Sequence, residues 1–323
     1  LKIDFRDARA VFHYQLYSFS ILHYFHFQFY IKMRPYYNSC FAMHTRFEAV
    51  LCDLEEEDAD VVFFKLREKL SHAEHLLSAY DPEAEVYQLN AEAYEKEAPV
   101  SRALWDLLVL GKELYDRSLG YFDLGVWRQA HAGKYKNQVE GRPAGSGIGH
   151  VLLNEEERKV RFEEPVAIDT GGMGKGFGLN MLTPILHQYN VRNAFLSFGG
   201  SSILTRGRHP HGDHWPFRLK AGETVFQLRG DCVSTSETKT ERNGEARYHV
   251  YNPKTGALVR RHWLAAVQHR DPLEAEVLST ALLCAEEPEY EALIGNFAPE
   301  RIVLVDMERG ELVFAWGAGE EVG

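Results

Sequence analysis

The residues best placed to do chemistry lie at 166–178, which read V-A-I-D-T-G-G-M-G-K-G-F-G. A short apolar run reaches Asp169, and then Gly171, Gly172, Gly174, Gly176 and Gly178 surround one cation, Lys175. Glycines let backbone N–H groups approach a ligand closely. A helix N-terminus favours anions, and a lysine adds a point charge. Apolar residues at helical spacing, from Leu179 to Tyr189, supply that helix. The stretch reads as an anion cradle of the phosphate type with Asp169 on its rim; a bare strand-to-helix turn is the alternative. It is not a Walker A loop, because Gly176 follows Lys175 where Ser or Thr is required. Nor is it a dinucleotide fingerprint, since Phe177 stands where the third glycine would fall.

Four other stretches carry usable side chains. Ser78, Tyr80 and Asp81 close one helical pattern, and Tyr121, Phe122 and Asp123 follow another. Thr235 and Ser236, with Tyr248 and His249, bracket a polar segment. Glu276 and Thr280 stand at i and i+4, on one face of a helix, where both can offer oxygen to a hard cation such as magnesium. Taken singly, each has an ordinary reading as a core aromatic, a bonded strand residue or a solvated carboxylate. His209, His211, Asp213 and His214 have no preorganised ligand spacing and read as a solvated loop, with metal binding as the alternative.

The elements that must position these groups follow from periodicity. A strand is predicted over 45–51 and a helix over 60–80, stopped by Asp81-Pro82. Ser101 caps a second helix that Gly120 closes. Residues 128–149 read as a loop and 151–166 as a hairpin. Strands are predicted over 193–204, 217–220, 225–228, 231–235, 248–251 and 264–268. A helix is predicted over 273–285 and a hairpin over 301–316. Without strict βα alternation the class is α+β, as one compact unit. The composition, 45% hydrophobic and 26% charged, supports a sizeable core. A net charge of −11 with no basic run argues against a nucleic-acid partner. Four scattered cysteines give neither a zinc pattern nor a disulfide framework.

Taken together and in order, these stretches resemble the FAD:protein FMN transferases, the ApbE family. The resemblance runs from about Met43 to the C-terminus. It is carried by Met43-His44-Thr45, by 77–90 with Tyr80-Asp81-Pro82 and Leu89-Asn90, and by Gly120–Asp123. It continues through Asp169–Phe177, Asn193–Ser201, Thr235-Ser236-Glu237, His249–Gly256 and Ala275–Ala281. It implies a single T-fold-like α+β domain over 43–323, with mixed sheets and packed helices. It implies Mg²⁺-dependent transfer of the FMN half of FAD to a Thr or Ser hydroxyl of a partner protein, releasing AMP. Met43, Tyr80, Tyr121, Phe122, Asp123, Asp169 and Lys175 would contact FAD. Gly172, through its carbonyl, with Glu276, Ser279 and Thr280 would hold magnesium, and His249 would serve the attacking hydroxyl. The chain departs from the family pattern at four places: Glu276 and Asn252 stand for Asp, Glu237 for Gly, and Ser201 for an acid. A non-catalytic FAD binder and a Mg²⁺-dependent FAD hydrolase are the alternatives.

Residues 1–42 form an uncertain leader. Residues 10–31 carry no Asp, Glu, Lys or Arg, yet they include His13, His23 and His26 and are bulky with Phe and Tyr. That fits neither an export signal nor a good membrane span. The expectation is a start at Met33 and a cytoplasmic protein, with membrane anchoring or export as the alternative.

Overall fold

The computed structural model describes residues 35–127, 146–221, 224–242 and 245–317. Eight strands form the main sheet: Tyr36–Ala42 (β1), Thr45–Cys52 (β2), Asn193–Phe198 (β3), Ser202–Arg206 (β4), Cys232–Glu237 (β5), Trp263–His269 (β6), Arg301–Asp306 (β7) and Glu311–Trp316 (β8). They lie side by side in chain order, each antiparallel to its neighbour. Among the described residues, long connections leave this meander to supply six α-helices: Glu56–Leu77 (α1), Glu85–Glu92 (α2), Arg102–Arg117 (α3), Gly174–Gln188 (α4), Pro272–Cys284 (α5) and Glu287–Phe297 (α6). The class is α+β, as the element pattern predicts.

One face of the sheet is covered by helices. α5 is the central one: Leu273, Ala275, Val277, Leu278, Ala281, Leu282 and Leu283 are all buried, so it is apolar nearly all round. It lies on β5 and β6 and against α4, which in turn meets α1. The other face carries a smaller core. A hairpin of Trp215–Arg218 and Val225–Leu228 packs Trp215, Phe217, Phe226 and Leu228 onto Ile203, Val233, Leu264 and Val303. Side-chain alternation therefore assigns β5 to two environments: Cys232, Ser234 and Ser236 face the helices, while Val233, Thr235 and Glu237 face the hairpin side.

Several boundaries differ from the sequence reading. β1 precedes Met43 and belongs to the sheet; Met43 and His44, at φ 51 and 58, make the two-residue turn into β2. Both central residues at positive φ is the twist that suits a tight hairpin. The stretch 193–204 is two strands, because Gly199 and Gly200 take φ +57 and +72 and reverse the chain. α1 runs 56–77 rather than 60–80, and Ser78 ends it by accepting from the N–H groups of Tyr80 and Asp81 at 3.2 and 3.0 Å. Ser101 caps α3 as expected, accepting from Leu104 N at 3.1 Å. Short α2 and the capping-box helix α6 were not anticipated. The loop expected over 128–149 lies largely outside the described residues, as does the leader up to residue 34. Among the described residues no helix is long and apolar enough to cross a membrane.

Candidate functional site

The glycine stretch is braced before it turns. The strand Val166–Ile168 pairs with Gly125–Trp127. Asn90 clasps its end: the Ile168 N–H donates to Asn90 Oδ1 at 2.7 Å, and Asn90 Nδ2 donates to the Ile168 carbonyl at 2.9 Å. Asp169 Oδ1 accepts from Gly171 N at 2.9 Å, and the Thr170 hydroxyl donates to the Leu77 carbonyl at 2.8 Å. α4 begins at Gly174, not at Leu179, so Gly174, Lys175 and Gly176 are its first turn. The helix-end N–H groups thus belong to the glycine stretch itself.

Gly176 sets the next contact. A Cβ there would stand 2.4 Å from the Pro272 carbonyl oxygen and 2.7 Å from Leu273 Cα, so only glycine lets the N-termini of α4 and α5 meet so closely. The approach lets Glu276 reach across. Its Oε2 accepts from Gly176 N at 2.5 Å, and its Oε1 pairs with Lys175 Nζ. The Glu276 side chain is 3% exposed and that of Lys175 is 26%. An internal carboxylate therefore occupies the anion end of α4 and neutralises the cradle lysine. The hydroxyls of Ser279 and Thr280 donate to the Glu276 carbonyl at 3.0 and 3.1 Å. Ser236 Oγ lies 2.7 Å from Ser279 Oγ and 3.1 Å from Thr280 Oγ1, tying β5 to α5.

Two hollows adjoin at the cradle. The larger, about 580 Å³, is lined by Tyr121, Phe122, Asp123, Gly172, His249, Glu276 and Thr280, together with Asp169, Gly171 and Lys175. The smaller, about 550 Å³, is lined by Met43, His44, Glu74, Tyr80 and Asp81, again with Asp169, Gly171 and Lys175. The residues expected to contact flavin therefore line two hollows that share Asp169, Gly171 and Lys175. His249 sits just past the strand Glu245–Tyr248, and its N–H donates to the Thr238 carbonyl at 3.1 Å. Ser279 is fully buried and does not line the larger hollow, unlike the other expected magnesium ligands.

Some expected contacts are already engaged. Asp123 accepts from Gly125 N and Gly147 N at 2.7 Å each and from Ile148 N at 3.1 Å. Burial pushes its carboxyl up to about 6, against the opposing pull of those three N–H groups and of Lys112. The Tyr121 hydroxyl bonds Glu289, while Lys254 stands 4.1 Å from the Tyr121 ring centre and 3.2 Å from Glu289 Oε1. Phe122 presses on Gly172, where an added Cβ would lie 3.1 Å from its ring. At two departures the side chain serves a turn: Asn252 Oδ1 accepts from Lys254 N at 2.9 Å, and the Ser201 hydroxyl donates to the Phe198 carbonyl at 3.2 Å. His209 lies edge-on to Trp215 at 5.0 Å, and no group of three or more His, Cys, Asp or Glu side chains placed to hold a metal occurs among the described residues.

Sequence reasoning missed the bracing by Asn90, the Ser236 hydroxyl bridge and the Lys254–Glu289 support of Tyr121. Asn90 and Ser236 lie inside stretches that attracted notice, but their partners are 78 and 43 residues away in the chain. Nothing local signals such pairings.

The ApbE family model matches residues 43–304. A curated relative from Klebsiella pneumoniae (strain 342), the "FAD:protein FMN transferase", is 22% identical over 267 residues, covering 75% of this chain and 76% of its own. The ApbE protein of Thermotoga maritima superposes with a TM-score of 0.75 at 20% identity, over 86% of this chain and 96% of that one. The apo flavinyl transferase ApbE of Pseudomonas stutzeri gives 0.71 at 20% identity, over 88% and 98%.

Proposed function

This chain belongs to the ApbE family, and we propose that it transfers the FMN moiety of FAD to a Thr or Ser hydroxyl of an acceptor protein, releasing AMP. One observation carries the reading: Asp169, Gly171 and Lys175 line both hollows, so one anion cradle joins two arms. That arrangement suits a dinucleotide with its diphosphate in the middle. The exposed rim of Tyr80 on one arm and the Tyr121–Phe122 pair on the other offer ring surfaces for its two ends.

The residues fit magnesium. Gly172, Glu276 and Thr280 line one hollow and offer only oxygen, the donor type that ion takes, and Glu276 already grips a cation in the Lys175 ammonium. Ser279 acts on this reading as a brace for α5 rather than a ligand. Bound there, the ion would neutralise charge on the diphosphate. Lys175 would turn from Glu276 to the phosphates, and the N–H groups of the first α4 turn would orient them. The acceptor oxygen would attack the flavin-side phosphorus, the bond to the AMP oxygen would break, and His249 would take the hydroxyl proton.

The test is incubation of the protein with FAD, Mg²⁺ and Thr- or Ser-containing acceptor peptides. Covalent flavin on the peptide with matching AMP release is the expected result. AMP and FMN appearing equally fast without any acceptor would instead favour a hydrolase.

A further inference from the structure

We propose that Glu237 is a positioning residue for the acceptor: its carboxylate, braced by His262, takes a hydrogen bond from the acceptor segment beside the hydroxyl that receives flavin. The inference rests on the flavin-transfer reading and concerns its protein substrate. Glu237 ends β5 and lines the larger hollow, as does His249. The backbone ties the two together, because the His249 N–H donates to the carbonyl of Thr238, the residue after Glu237. Thr238 is itself fixed. It is fully buried, its hydroxyl donates to the Arg261 carbonyl at 2.5 Å, and it accepts from Trp263 N at 3.0 Å. One rigid strand end thus carries Glu237 and anchors His249.

The carboxylate is held and only half used. Glu237 Oε1 lies 2.8 Å from His262 Nε2, and the His262 carbonyl is fixed by Met307 N at 2.8 Å. Among the described residues Oε2 meets only Lys220 Nζ at 3.9 Å, too long for a hydrogen bond, and that lysine side chain is 78% exposed. Such an exposed pair contributes little. Alternation along β5 turns Ser236 toward α5 and Glu237 toward the opposite wall. Glu237 also carries the wrong charge to face a diphosphate, whose cation and helix end lie at Lys175 and α4. An acceptor N–H or O–H is the donor its geometry suits.

The test uses the full chain, FAD, Mg²⁺ and a series of synthetic Thr- or Ser-containing peptides as probes. A hydrogen bond to a charged group is worth roughly tenfold or more in an equilibrium constant. E237A is therefore expected to raise the peptide KM by about tenfold, with kcat and FAD affinity within about twofold. E237Q, which keeps an accepting oxygen, should recover most of the loss, and His262→Ala should reproduce part of it. Unchanged KM in E237A for every peptide overturns the proposal, as does a loss of FAD affinity matching the loss in KM. A wild-type protein that binds FAD but uses no peptide overturns the transfer reading, and this proposal with it.

Discussion

Replacing Glu276 by Gln probes how the cradle exchanges partners. The carboxylate is almost fully buried, holding Lys175 with one oxygen and Gly176 N with the other. Removing one member of a fully buried pair costs about 3–5 kcal/mol. Lys175 keeps a quarter of its side chain exposed, so solvent offsets part of that loss. The Gln amide also turns an N–H group toward one of two donors, a mismatch of about 1–3 kcal/mol. Together these give an expected loss of stability in E276Q of about 2–5 kcal/mol by urea denaturation. The effect on binding is sharper. On the proposed reading a divalent ion at Glu276 would release Lys175 for the diphosphate, so Mg²⁺ should tighten FAD binding by about tenfold or more, and FAD should tighten Mg²⁺ equally. In E276Q the lysine would already be free of its carboxylate partner, and FAD affinity by calorimetry should no longer respond to Mg²⁺. A variant with wild-type stability and an unchanged Mg²⁺ effect on FAD affinity would refute the exchange.

Three further outcomes are expected. His249→Ala should keep FAD affinity within a few-fold and slow transfer by roughly 10²-fold, the usual scale for losing a general base, in a single-turnover assay. Gly176→Ala must push α5 away from α4, since its Cβ would meet the Pro272 carbonyl at 2.4 Å; a loss of about 1–3 kcal/mol should appear in thermal or urea unfolding. Asp123 has a carboxyl raised from 3.8 to about 6, chiefly by burial, so the stability it contributes is full below about pH 4 and lost as pH rises through about 6; Asp123→Asn should flatten that part of the pH–stability curve, and its deficit against wild type should shrink by roughly 2–3 kcal/mol between pH 4 and pH 7.

Local chemistry made much of this legible. Ser101 before an apolar run, Gly120 after one, and the hairpin of 301–316 with its turn at Arg309-Gly310 each state a structure within a few residues, and each formed. The cradle was legible as glycines around Lys175 after a short strand, though its helix starts five residues earlier than the apolar spacing suggests, because Gly174 and Gly176 carry no apolar signal. Strand β1 was hidden by its mixed sequence, whose register depends on β2 rather than on its own pattern. The Lys175–Glu276 pair spans 101 residues of chain. It exists because Gly176 admits α5, a packing fact that neither segment states alone. Likewise, Glu237 appeared in the sequence only as a departure; the strand geometry gives it His262 and a place beside the His249 anchor.

The central claim is tested most directly by mixing the purified full chain with FAD, Mg²⁺ and a carrier protein bearing a library of Thr- and Ser-containing segments. The denatured products are resolved on a gel, and AMP is quantified in parallel. A fluorescent flavin band on the carrier that survives denaturation, with one AMP released per flavin attached and no band without Mg²⁺, is the predicted result. Tight FAD binding with neither fluorescent carrier nor AMP would contradict the account and leave the chain a flavin binder.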